Sequence, residues 1–290
     1  MTSAELPDHL SPTAPLHVRD HGGDGPPLLL LHGATRSHAD WASIVPHLLP
    51  EYRVLAVDLP AHGGSPAPAV WTLEAALDAI EATLRQAGAP DAVLVGHSLG
   101  GMLAALYAAR HPGVTPAAVN LDGFWWGAPG PHPDVERVRD LVRAPAGAVM
   151  PADYVAQQVR RSALFGIPAE RAEAAVRVAA RELPDGRWQT LPLREHALEM
   201  FDSLDTVDFH RTFRSVACPL LLVRAERAMP RQPGTEWFDA YLEAYGKELD
   251  RELAGMPAHV SVRGIDATHL MPLEAPEAVA SLVREFLAGR

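Results

Sequence analysis

A serine stands between two glycines in the run Gly96-His97-Ser98-Leu99-Gly100, with an apolar stretch at 92–95 before it and a helix-like stretch at 102–109 after it. A serine hydroxyl is a weak nucleophile until it is lifted clear of the backbone's own hydrogen-bonding groups and handed to a base. A sharp strand-to-helix turn does the lifting. Glycines at 96 and 100 let the strand and helix backbones approach around Ser98 where a Cβ would clash. The pattern reads as a nucleophile elbow, so the rest of the chain is searched for a base, an acid to orient it, and donors for a developing oxyanion.

The elements that must hold such a turn are visible in the spacing. Short apolar runs bounded by Gly, Pro, Asp or Asn recur at 28–31, 54–57, 93–95, 118–121, 220–223 and 259–262. Runs of that length without polar alternation are buried on both faces, which is the signature of a parallel sheet. Helical spacing of apolar residues fills 73–86, 101–110 and 277–287 between and after them, so the reading is an α/β chain with right-handed crossovers. Sites in such sheets lie at the strand C-terminal ends. The alternation breaks at about 124–206, which shows no convincing strand, carries Trp125-Trp126 and a proline-rich patch at 129–133, and continues through helical runs at 154–161 and 170–182. It reads as a helical insertion, giving a core of 1–123 and 207–290 and a cap of 124–206. A further long helix at 235–254 has Trp237, Tyr241, Tyr245 and Leu249 on an apolar stripe, which is core packing.

Composition removes several classes. The chain of 290 residues is 48% hydrophobic and carries a net charge of −11, with no basic stripe, so a nucleic-acid partner is not expected. Residues 1–15 lack the basic end and apolar stretch of a secretory signal, and no run reaches the ~18 apolar residues of a membrane span. A cytoplasmic protein is expected. Cys218 is the only cysteine, and the 14 histidines include no H-E-x-x-H pattern, so neither a disulfide, a metal nor another cofactor is expected.

Other strand ends carry polar motifs: His32-Gly33-Ala34-Thr35, then Asp58-Leu59-Pro60-Ala61-His62-Gly63-Gly64-Ser65, and near the end His269-Leu270-Met271-Pro272-Leu273-Glu274. With these the chain resembles the α/β-hydrolase superfamily, of the subgroup with a helical cap after the sixth strand. The likeness covers nearly the whole sequence, with the motifs in the family's order. The resemblance implies a mostly parallel central sheet flanked by helices and a serine hydrolase with Ser98 as nucleophile. It implies the backbone N–H groups of Ala34 and Leu99 as oxyanion donors, which are worth ~3 kcal/mol or more each to the transition state. It implies His269 as base, since the serine, acid, histidine order is the one this fold uses. His32 is expected to shape its loop by hydrogen bonding.

Two positions depart from the family pattern. Ala61 stands where D-x-x-G-H-G-x-S has its first glycine, which bears on the local turn. The usual acid after the seventh strand is missing, because Ala225 and Ala228 occupy the places of the glycine and aspartate of G-x-x-D. A minority of the superfamily places the acid after the sixth strand, where this chain has Asp122. Glu226 is the alternative, one methylene longer and two positions short. Phe124, Trp125 and Trp126 at the junction of core and cap would line an apolar pocket, so the expected substrate is a small ester, lactone or thioester with an apolar acyl or alcohol part. C–C bond hydrolysis, perhydrolysis, or ligand binding with a residual triad are the alternatives on the same fold. Dehalogenase and epoxide hydrolase chemistry is disfavoured, because those relatives use an aspartate at the elbow where this chain has Ser98.

Overall fold

The computed structural model describes residues 14–125, 133–229 and 236–289. The core sheet is built from β1 (Val18–Asp20), β2 (Pro27–Leu31), β3 (Arg53–Val57), β4 (Val93–His97), β5 (Ala118–Leu121), β9 (Leu220–Ala225) and β10 (Val260–Ile265). Their order is β1-β3-β2-β4-β5-β9-β10, with only β1 antiparallel to its neighbour. The strand before the cap, counted as the sixth from the family pattern, is thus the fifth in chain order among the described residues.

Successive residues of one strand feed opposite cores. Leu29, Leu31, Leu55, Val57 and Leu94 pack with α2 (Leu73–Gln86) and α3 (Leu99–Arg110). Leu28, Leu30, Val54, Ala56 and Val93 pack with α1 (Val45–Leu48) and α11 (Pro276–Ala288). This two-sided burial is why the strands read as unbroken apolar runs. β3 pairs with one edge of β2 and β4 with the other, so the chain changes direction across the sheet at β2. The loops leaving β2 and β4 therefore diverge around a crevice at their C-terminal ends, which is where ligands bind in open α/β sheets.

Between β5 and β9 lies the cap, with α4 (Val135–Arg143), β6 (Val149–Met150), α5 (Tyr154–Ala163), α6 (Ala169–Ala179), β7 (Ala180–Glu182), β8 (Trp188–Thr190) and α7 (Arg194–Leu204). The insertion is largely helical as expected, but the expectation that it holds no strand is corrected here: β6, β8 and β7 form a three-stranded antiparallel sheet. Strands of two or three residues are too short to show a period of two. A helical run expected through 182 ends instead at Ala179, because Ala180 turns extended to pair with Thr190. The readable signal was Pro184-Asp185-Gly186, a turn sequence whose Gly186 has φ +79° and closes the β7–β8 hairpin. After the cap come α8 (Phe209–Ser215), α9 (Glu236–Ala254) and, beyond β10, α10 (Met271–Glu274).

Candidate active site

Ser98 leaves β4 with φ +52° and ψ −118° and starts α3 at the next residue. A non-glycine residue at such angles carries about 1–3 kcal/mol of strain, so the surroundings must over-determine it. They do. A Cβ on Gly96 would lie 2.0 Å from the Gly100 carbonyl oxygen, and one on Gly100 2.1 Å from that of Leu31. The Ser98 N–H donates to Leu121 O (2.9 Å) and Gly100 N–H to His32 O (3.1 Å), tying the turn to both flanking strand ends.

Ala34 and Leu99 sit on either side of this crevice and both line a cavity of about 450 Å³ together with Ser98 and His269. Among the described residues neither the Ala34 nor the Leu99 N–H has a protein acceptor. The loop that carries Ala34 is held by two buried histidines whose tautomers follow from their partners. The Leu59 N–H donates to His32 Nε2 (2.9 Å), so His32 carries its proton on Nδ1 and gives it to Gly33 O (2.7 Å). The Thr35 N–H donates to His62 Nε2 (3.1 Å), so His62 likewise donates from Nδ1 to Pro60 O (2.9 Å). The expected loop-shaping part of His32 is what its bonds do, and His62 shares it. Ala61, next to His62, has φ +66°, which explains the family glycine. That conformation costs an alanine about 1–2 kcal/mol. Its buried methyl (~0.8 kcal/mol) and the lower unfolded-state freedom of alanine (about 0.5–1 kcal/mol) offset most of the cost.

Burial lowers the His62 pKa from the ordinary 6.5 to about 4, and burial with the neighbouring His62 ring holds His32 well below its ordinary value. The unfolded chain protonates these rings near pH 6.5 and the native protein does not. Their neutral forms therefore add stability that is complete above about pH 6.5 and is lost as pH falls through the native value. For His62 the shift corresponds to about 3 kcal/mol. Thermal melts between pH 8 and 4.5 should show the wild type losing stability in that window. The His62→Gln variant, whose amide oxygen can still accept from Thr35, should start lower but decline less. Parallel curves would remove His62 as a cause.

His269 follows β10 and its Nδ1 lies 2.7 Å from Asp122 Oδ2. Asp122, at φ +53° just past β5, also accepts the Ala225 N–H at Oδ1 (2.9 Å). Burial would raise the Asp122 carboxyl, but the His269 hydrogen bond and ring charge and the Ala225 N–H outweigh it and hold the group below the usual carboxylate range. An ionised carboxylate only accepts, so the His269 proton is on Nδ1 and Nε2 keeps its lone pair. Glu226 is exposed, with its side chain lying over Gly264 on β10, and is not the residue bonded to this ring.

Two side chains steady the His269 loop. His97 donates from Nε2 to the His269 carbonyl (2.7 Å), and its ring centroid is 4.8 Å from that of His269. Burial first, and the facing His269 second, lower the His97 pKa to about 3, so it stays neutral. Glu274 accepts from both the N–H and the hydroxyl of Thr268 (2.9 and 2.7 Å) and pairs with Arg227. Neither contact was readable from the sequence, because each joins residues whose meeting depends on how the last loop folds back.

Phe124 and Trp125 both line the 450 Å³ cavity. Trp125 stacks on Phe201 at 5.8 Å and donates to Asp205 Oδ1 (2.8 Å), so its indole is fixed against α7 and the residue after it. Trp126 lies outside the described residues. Among the described residues one group could gather a metal ion, His17, His38 and Asp58, with ligand atoms within 4.8 Å. The Asp58 carboxylate there already accepts from both rings and from the His38 and Gly64 N–H groups, under the loop rather than in the crevice. No helix among the described residues is long and apolar enough to cross a membrane.

The family model of the alpha/beta hydrolase fold matches residues 26–144. The chain belongs to the α/β-hydrolase superfamily, among its esterase-type hydrolases. It is 32% identical to lipase LipV of Mycobacterium tuberculosis over 95% of this chain and 98% of that protein. It is 31% identical to a pimeloyl-(acyl-carrier protein) methyl ester esterase of Methylococcus capsulatus over 92% of this chain and 96% of that one. The solved structure of E-2-(acetamidomethylene)succinate hydrolase superposes with a TM-score of 0.70 at 23% identity, covering 94% of this chain and 95% of that chain, a likeness of fold.

Proposed function

We propose that the protein is a serine hydrolase that cleaves a carboxylic ester, lactone or thioester through an acyl-enzyme on Ser98. The observation that carries this reading is the 2.7 Å bond from His269 Nδ1 to Asp122, which leaves the Nε2 lone pair for the crevice that Ser98 also lines. In the first half-reaction His269 Nε2 takes the Ser98 proton as Oγ attacks the carbonyl carbon, and Asp122 stabilises the imidazolium. The new oxyanion accepts from the Ala34 and Leu99 N–H groups. Collapse expels the alcohol or thiol, which receives the proton from His269. Water, deprotonated by His269, then attacks the acyl-enzyme, releases the acid and restores Ser98.

The relatives support the ester class, since one is named a lipase and another a methyl ester esterase. The apolar part of the cavity, with Met102, Phe124, Trp125, Phe201 and Leu204, suits an aliphatic or aromatic acyl or alcohol group. A fluorophosphonate probe should label the wild type and fail to label Ser98→Ala. A panel of p-nitrophenyl esters of graded chain length beside several lactones should then show turnover in at least one series. Equal labelling of the two proteins would reject Ser98 as nucleophile.

A further inference from the structure

Three polar side chains of α5 point the same way. Tyr154, Gln158 and Arg161 are spaced i, i+4 and i+7, one face of a helix, and all three line the 450 Å³ cavity over Ser98 and His269. The helix is fastened along its flank by Val155, which packs with Val176 and Trp188, and Tyr154 and Val159 pack against the same cluster. Gln158 and Arg161 also line a second cavity of about 280 Å³ that shares Ser98 and His269 with the first, so they stand where the two meet.

The charge balance of this region is unlike that of the rest of the molecule. The protein carries a net charge of −11, yet among the described residues no aspartate or glutamate lines either cavity. Two arginines line the smaller one. Arg36 is neutralised by a two-pronged pair with Asp40 (2.7 and 2.6 Å). Of the other cap arginines, Arg139 and Arg143 pair with Asp205 and Arg177 with Glu173, while Arg171 and Arg194 donate to backbone carbonyls. Arg161 has no carboxylate partner among the described residues, although it is exposed and free to reach one. Tyr154 is kept as a neutral phenol by burial, against the opposing pull of Arg36 and Arg161, so its O–H is available to donate. A guanidinium, an amide NH₂ and a phenol O–H thus face one space that offers them no anion.

We propose that Arg161, with Gln158 and Tyr154, binds a carboxylate on the substrate, so that the preferred ester carries a free acid group as well as the scissile bond. This rests on the acyl-enzyme reading of Ser98 and narrows it from esters in general to half-esters of dicarboxylic acids and their like. A guanidinium holds a carboxylate by two parallel N–H···O bonds, which fixes the orientation of the chain as well as its affinity. The apolar side of the larger cavity takes the hydrocarbon between the acid group and the ester.

The test compares the mono-p-nitrophenyl ester of adipic acid with p-nitrophenyl hexanoate, which matches it in length and lacks the charge. The wild type should favour the charged ester in kcat/KM by about tenfold or more, mainly through KM, as expected for a hydrogen-bonded ion pair. That ratio should fall by about the same factor in Arg161→Gln, fall less in Arg161→Lys, and shrink with added salt. In parallel, calorimetry with adipate on Ser98→Ala and on Ser98→Ala with Arg161→Gln reads the acid subsite without any chemistry, and binding should be weakened in the double variant. No preference for the charged ester, or a ratio unchanged in Arg161→Gln, overturns the carboxylate assignment while leaving Ser98 intact. Adipate binding that depends on Arg161, in a protein that turns over neither ester and is labelled by the fluorophosphonate no better than Ser98→Ala, would instead reject the Ser98 reading and keep the subsite.

Discussion

Ser98→Ala and His269→Ala should each lower kcat by ~10⁴ or more, and the double variant should be little worse than either alone. The reason is that in the proposed mechanism the two residues act as one unit. Without Oγ there is nothing for the imidazole to deprotonate, and without the imidazole Oγ attacks only as a neutral hydroxyl. What survives in every variant is the pair of N–H donors at Ala34 and Leu99 and the cavity that orients the ester, which together keep a residual rate above that of water. Losses that multiply in the double variant would mean that Ser98 and His269 serve separate steps. Stability separates this from a folding defect. Ser98 contributes a hydroxyl to an open crevice, while the strained turn is held by backbone bonds to Leu121 and His32 that alanine retains. Melts of Ser98→Ala should accordingly stay close to wild type while activity disappears.

Much of the core was legible because its determinants are local or periodic. The apolar runs mark β2, β3, β4, β5 and β9 to within a residue or two, since strands buried on both faces are mostly apolar. The elbow was legible because two backbones that approach within contact distance tolerate only glycine at 96 and 100. β10 runs to Ile265, further than its apolar run suggests, because the edge strand accommodates Arg263 and Gly264 while pairing with Arg224 and Val223. The cap was read least well. Its strands are set by pairing across β8 rather than by their own pattern, and Val149-Met150 has no period to detect. The cavity-lining face of α5 was equally hidden. Arginines 160 and 161 look alike in sequence and read as a solvated face. Only the fold shows that Arg160 pairs outward with Asp153 while Arg161 lines the cavity.

The acid is the residue on which sequence pattern and geometry bear most differently. Ala228 occupies the usual position and has no group that could orient an imidazole, so the partner of His269 comes from another strand end. Asp122 reaches it from β5, with one oxygen on His269 Nδ1 and the other on the Ala225 N–H, the latter at the very strand end where most relatives carry the acid. These bonds hold its carboxyl below the usual carboxylate range, so Asp122 is anionic at neutral pH. Asp122→Asn should therefore cost on the order of 10⁴ in kcat, since an amide can fix the wrong tautomer of His269 and cannot stabilise the imidazolium. Glu226→Gln should cost less than about tenfold, because its exposed side chain lies over Gly264 and acts on the site only through a screened surface charge. Steady-state kinetics on one ester settles the comparison. A crippling Glu226→Gln beside a mild Asp122→Asn would return the acid to β9 and require the loop after it to rearrange when substrate binds.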